Sequence, residues 1–173
     1  MKVPNEIFAN AKDVNESAIS VFSRAELLDS LLPWLDSWLV GSHYLDFEVF
    51  HYIGILIADA GFERIDADLL RWYRHDASAK RYEIMCDFLW GYWKSAKTAD
   101  PETVSTLLGS LDQLPKTSGG YGMSLLALHS FVASRRIKSE EKEKVRANLL
   151  RHLEYLRETG LHEGTASFLE ELR

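Results

Sequence analysis

The sequence predicts an all-α chain, a right-handed stack of antiparallel helix hairpins, and three observations carry that expectation. Apolar residues recur at intervals of three and four through most of the chain, as on one face of a helix. The stretches between them are short and hold helix-stopping or helix-starting residues such as Gly41, Gly61, Pro101 and Gly160. No strand pattern interrupts them. With 173 residues, 46% hydrophobic and 27% charged, the composition is that of a globular chain with material for one sizeable core. One domain spanning 1–173 is expected, with 1–16 a loosely ordered polar start.

The elements follow in order. Ser23-Arg24-Ala25-Glu26 reads as a capping box, in which hydroxyl and carboxylate satisfy each other's orphan amides, ahead of Leu27, Leu28, Leu31, Leu32 and Leu35. That helix is expected to reach Val40, with a kink or two shorter helices at Pro33, which lacks a backbone donor. The apolar run 44–60 stops at Gly61, a natural residue to follow a helix end. A short helix over 66–73 carries Asp66 and Asp68 in its first turn, where the helix dipole favours them. The segment 79–97 is apolar nearly all round, so it must be covered on most sides and forms the centre. Asp100-Pro101 opens a helix to 112 with an N-cap and a proline at N1. Gly119-Gly120-Tyr121-Gly122 reads as a flexible turn before a helix over 121–134. Ser139 caps 140–159, stopped by Gly160, and a last helix covers 163–172.

A repeat underlies this order. Two leucines followed by an apolar residue three positions on occur at Leu27-Leu28-Leu31, Leu69-Leu70-Tyr73, Leu107-Leu108-Leu111 and Leu149-Leu150-Leu153, about 40 residues apart. Apolar helices starting near Phe47, Tyr82 and Tyr121 fall between them. Two helices per period of about 40 resembles the HEAT-like α-α repeat proteins, which implies hairpins that bury their faces only by stacking on neighbours. An irregular helical bundle built from the same leucines is the alternative.

Charge is uneven along the chain. Residues 1–70 hold four Lys/Arg against twelve Asp/Glu, and residues 71–173 hold sixteen against fourteen, within a net charge of -6. That balance argues against nucleic acid as a partner, because phosphate neutralisation needs clustered cations. No apolar run reaches the roughly 18–20 residues of a spanning helix, and the start has no apolar signal core, so no membrane association and a cytoplasmic location are expected. Cys86 is the single cysteine and lies in an apolar stretch, which predicts a buried structural thiol.

Catalytic and metal chemistry find little support. A di-iron carboxylate site needs two Glu-x-x-His pairs, and only Glu48-Val-Phe-His51 fits. His162-Glu163-Gly-Thr-Ala166 begins like a zincin motif but ends on alanine. There is no Gly-x-Ser-x-Gly elbow and no phosphate loop, so no cofactor and no metal are expected. Arg71, Arg74 and His75 on one helix, and the turn Arg135-Arg136-Lys138, can grip an anion, although charges at a helix C-terminus also complement the dipole.

These features lead to the expectation of a non-enzymatic protein-binding protein, an acidic immunity protein or antitoxin that occludes the cationic groove of a basic, nuclease-like toxin. Its contacts are expected at Asp29, Asp36, Trp38, Asp46, Glu48, Asp59, Glu63, Asp66 and Asp68, with Trp34 or Trp38 as aromatic anchor. Two alternatives are an adaptor or assembly subunit, and an enzyme or small-molecule binder with an inter-helix pocket around His43, Glu48 and His51.

Overall fold

The computed structural model describes residue 8, residues 14–40 and residues 48–173, with the backbone alone of residue 47. Among these residues it is all-helical, with no strand. The short α1 (Glu16–Ile19) is capped by the Asn15 side chain, which accepts from the Ala18 amide (3.0 Å), and was not signalled by periodicity. Then come α2 (Arg24–Ser37), α3 (Phe47–Asp59), α4 (Ile65–His75), α5 (Ala79–Ser95), α6 (Pro101–Gln113), α7 (Gly119–Ala133), α8 (Lys142–Thr159) and α9 (Glu163–Glu170).

Local chemistry sets most of the boundaries as expected. Ser23 and Glu26 form the capping box on α2, and Asp100 accepts from the Thr103 amide (2.9 Å) with Pro101 at the first position of α6. After α3, Gly61 takes a φ of 87°. The Gly61 amide returns to the Ala58 carbonyl and the Phe62 amide to that of Ile57, the reciprocal pair that closes a helix on a left-handed residue. Other expectations need correction. One helix, α2, runs through Pro33 in place of two shorter ones and ends at Ser37, short of Val40; the missing N–H of the proline leaves that turn without one backbone bond. The N-cap of α8 is Glu141, and the Ser139 hydroxyl accepts from the Glu141 amide (3.2 Å) just outside the helix. The stop at Gly41 and the segment 44–46 lie outside the described residues.

The glycine run before α7 is also corrected. It forms the first turn of that helix, capped by Ser118, rather than a flexible loop. A Cβ on Gly119 would lie 2.8 Å from a Glu83 carboxylate oxygen, and one on Gly122 2.8 Å from His162 Nδ1. Their missing side chains let α7 seat against α5 and the turn before α9.

The core runs along alternate helices. The most extensive packing is α3 against α5 and α5 against α7; α7 also meets α6, α8 and α9, while α4 meets α5 and α6. Helix α5 is therefore covered on most sides, as its composition requires, with Met85, Cys86, Phe88, Leu89, Tyr92 and Trp93 fully buried. Complete burial of side chains this size stabilises by about 1.5–3 kcal/mol each. The first leucine of each repeated pair (Leu27, Leu69, Leu107, Leu149) is buried on α2, α4, α6 and α8, and so are Leu31, Leu111 and Leu153 one turn later. Phe8 and Val14 belong to this core too, with Phe8 against Trp34, so part of the segment expected to be loose is packed. Cys86 is inert, its thiol pushed up to about 12 by burial.

Candidate functional site

Among the described residues, Asp36, Asp59, Asp66 and Asp68 do not stand free on the surface. Asp36 accepts from Trp72 Nε1 (2.9 Å) and pairs with Arg81 (2.8 Å), whose own guanidinium also donates to the Trp72 carbonyl. Asp68 is held by Arg24 and Arg71. Asp66 is 1% exposed and accepts from Trp93 Nε1 (3.0 Å) and from the amides of Asp100 (2.6 Å) and Ala67 (3.0 Å). Asp59 faces Arg136 at 3.6 Å. Asp29, Glu48 and Glu63 are exposed, but they sit on α2, the start of α3 and the turn before α4. Asp46 and His43 lie outside the described residues. Trp38 spends its ring on Phe50, edge-on at 5.3 Å, beside Trp34 at 6.1 Å. The physical reason is tertiary: Asp36 and Asp66 satisfy the buried Arg81 and the Trp72, Trp93 and Asp100 donors, while Asp59 and Asp68 pair with arginines at the surface.

A different site does gather. On α5, Lys94 lies over the Trp90 ring (4.7 Å) and its ammonium donates to His51 Nε2 (3.1 Å), while the His51 ring rests on Trp90 at 4.1 Å. An ammonium on Nε2 is incompatible with a metal there, and no group of three or more His, Cys, Asp or Glu that can hold a metal occurs among the described residues. Lys94 is also one wall of a cleft of about 450 Å³ between α5, the C-terminal end of α7 and α9. Its floor is His129 and Ser130, its rim Arg135 and Arg136 from the turn after α7, and its far side Phe168 and Glu171.

The floor is electrostatically unusual. His129 is 5% exposed and Ser130 2% exposed, yet neither ring nitrogen of His129 nor the Ser130 hydroxyl has a hydrogen-bond partner within the protein. The Glu171 carboxylate reaches to 3.5 Å of His129 Nε2 without hydrogen-bond geometry. Next to the cleft, His51 Nδ1 and Trp90 Nε1 are likewise buried without partners. Buried polar atoms are normally satisfied, so such a concentration beside three cations sets this place apart. Arg136 is partly engaged, donating to the Ser95 carbonyl (2.9 Å). Arg135 is exposed and has no ion pair among the described residues.

Burial lowers the basicity of this neighbourhood. It drives His51 down to about 4, with the Lys94 charge adding to the effect, and it lowers His129 in the same direction. Lys94 is lowered by burial, against the pull of Glu171 and Asp87. Between an unfolded histidine value of about 6.5 and the depressed folded values, the unfolded chain binds more protons. Stability held above about pH 6.5 is therefore lost as the pH falls, for His51 through about 4. Melting temperatures followed by circular dichroism are expected to drop steadily from pH 7 to 4.5, and less steeply in His51→Gln. Identical slopes in the two proteins would show that His51 is not held neutral by its surroundings.

The sequence signalled part of this site. Arg135 and Arg136 stood out as a basic turn, and His51 as a pocket histidine, but the partners of His51 are Trp90 and Lys94, two turns of a helix that read as pure core. His129 and Ser130 lie in an apolar run and carried no signal; a histidine next to a serine inside such a run is the only hint available. Arg71 and Arg74, the other cationic candidates, are paired with Asp68 and Glu102. Comparisons with protein-family models, with curated proteins and with solved structures find no match for this chain.

Proposed function

We propose that this chain is a non-catalytic binding protein, a HEAT-like stack of helix hairpins whose cleft between α5, α7 and α9 captures an anionic group. The alternation of packed helices, α3 on α5 on α7 with α4 on α6 beside them, supports the stack, because hairpin repeats bury themselves by such neighbour contacts. The observation that carries the binding function is the pair of buried, unpartnered groups on the cleft floor, Ser130 Oγ and the His129 ring, faced by Lys94 and Arg135. A cation-rimmed pocket with idle donors at its base is matched to an anion, since charge-assisted hydrogen bonds are the strong ones in such surroundings. Catalysis is disfavoured by geometry. No hydrogen bond joins the His129 ring to the Ser130 hydroxyl, so the two do not form a base-activated nucleophile.

This reading reverses the sign of the partner expected from composition. A basic toxin-like partner needs free carboxylates on one face, and Asp36, Asp59 and Asp68 already face arginines while Asp66 is interior. The test is direct. In a 1H–13C spectrum, the His129 ring signals are expected to move saturably on adding sodium acetate or sodium phosphate at constant ionic strength. Arg135→Ala, an exposed substitution that leaves the fold intact, should weaken that response by roughly tenfold, the effect of losing one charge-assisted contact. Unmoved His129 signals with both anions would remove the basis of this function.

A further inference from the structure

The charges and walls of the same cleft narrow the anion further, an inference that rests on the anion-binding reading above. We propose that the ligand is a carboxylate attached to an apolar body, with the carboxylate seated between Ser130, His129 and Lys94 and the apolar part against Phe168 and Ala133. Four observations converge on it.

The first is charge balance. Lys94, Arg135 and Arg136 face Glu171 across the cleft, and Arg136 also has Asp59 at 3.6 Å. The buried Asp87 also acts on Lys94, so three cations meet three carboxylates, no surplus is left to compensate a phosphate dianion, and a monoanion is the less costly guest in a partly desolvated site. The second is the donor set. Neutral His129 offers one N–H and Ser130 one O–H from a buried floor, and Lys94 and Arg135 add donors from the sides, which suits the two oxygens of a carboxylate.

The third is the wall. Phe168 keeps 36% of its surface exposed although its ring is already braced edge-on by Trp90 (5.7 Å) and tilted against His129 (5.8 Å). A fixed aromatic face that is open toward a pocket is an apolar platform at little entropic cost. The fourth is the chain's own Glu171. Its carboxylate stands 3.5 Å from His129 Nε2 and acts electrostatically on Lys94, so a carboxylate is already accommodated at the mouth, and on a side chain that is 65% exposed and able to swing away. Glu171 is thus an internal competitor for the ligand. The carboxylate can belong to a free organic acid or to the C-terminus of a polypeptide ending in an apolar residue.

The test uses hexanoate, acetate and phosphate at equal ionic strength, titrated into the full chain and read by calorimetry and by the His129 signals. Hexanoate should bind at least tenfold more tightly than acetate, as burying two of its additional methylenes requires, and more tightly than phosphate. Ser130→Ala should weaken hexanoate roughly tenfold, and Glu171→Gln should tighten it severalfold by removing the competing charge; circular dichroism of both variants establishes that the fold is kept. A short peptide ending in leucine, with a free carboxylate or as its amide, separates the sources: binding of the free-acid form alone assigns a chain terminus, and binding of hexanoate without the peptide assigns a free acid. Phosphate binding without hexanoate binding would overturn this inference and leave the anion-binding reading intact. Hexanoate no tighter than acetate would overturn the apolar part, and no response to any of the three anions would overturn both.

Discussion

Gly91→Ala is expected to destabilise the protein by about 3 kcal/mol or more, lowering the melting temperature by about 10 °C. A Cβ at Gly91 would stand 1.9 Å from the His51 carbonyl oxygen, 2.7 Å from its carbon and 3.0 Å from its Cα, and one at the facing Gly54 would stand 2.3 Å from the Phe88 oxygen and 2.9 Å from the Tyr92 nitrogen. All of these are main-chain atoms, so no rotamer change relieves the overlap and α3 must move off α5. A shift of about 1 Å forfeits a quarter to a half of the dispersion attraction across the interface. That loss falls on Phe50, Ile53, Ile57, Phe88 and Tyr92, all completely buried. Alanine's advantage over glycine as a helix former, about 1 kcal/mol, acts in the opposite direction and is too small to compensate. The comparison that isolates the close approach is Gly109→Ala on α6, where an added Cβ meets nothing within 4 Å. It should stabilise by about 0.5–1 kcal/mol. Thermal or urea unfolding of the two variants checks this, and shifts of the same sign would mean that the helices do not cross in backbone contact at Gly91. Because His51 carries that carbonyl and Lys94 lies one turn beyond Gly91, the same substitution is expected to weaken anion binding.

What could be read from the sequence divides along a physical line. Helix starts and stops are decided by a few neighbouring residues, which is why the Ser23–Glu26 box, the Asp100–Pro101 start and the left-handed Gly61 and Gly160 were predictable. The central place of α5 followed from its all-round apolar surface. Gly54 and Gly91 left a fainter trace: a glycine inside a helical pattern carries a penalty of about 1 kcal/mol, and two of them in adjacent apolar helices hint at a close crossing without saying which residues meet. Carboxylates were read least well. Asp66 and Asp68 are two residues apart in one first turn, yet one is sealed under Trp93 and the other is clamped by two arginines at the edge. Summing charge over a segment cannot distinguish these fates, because apart from Arg71 on α4 itself the distinguishing partners come from α2, α5 and the turn before α6. The same limit hid the cleft, whose donors on α7 become meaningful only once α5 and α9 place Lys94 and Phe168 opposite them.

The burial of Asp66 gives the second large effect. In Asp66→Ala the Trp93 indole N–H and the Asp100 amide lose their acceptor, and the first turn of α4 loses a carboxylate that complements its dipole. An unsatisfied buried donor costs about 1–3 kcal/mol, so a total loss of about 2–4 kcal/mol is expected, near 10 °C in melting temperature. Asp66→Asn keeps a carbonyl oxygen for Trp93 and Asp100 but turns an amide group toward the Ala67 N–H, so it should lose about half as much. The two substitutions also differ in what pH does to them. Burial raises the Asp66 carboxyl above its usual range, and three donors offset this only in part. Across the interval between the unfolded and folded values the native state holds more protons, so this residue's contribution, complete below about pH 4, declines as the pH rises through its folded value. Asparagine does not titrate. The gap in melting temperature between the native protein and Asp66→Asn is therefore expected to narrow on going from pH 4 to pH 7, with the histidine contributions common to both proteins cancelling in the difference. A gap that widens over that range would show that the three hydrogen bonds outweigh desolvation, and that Asp66 is an anion the fold is built to hold.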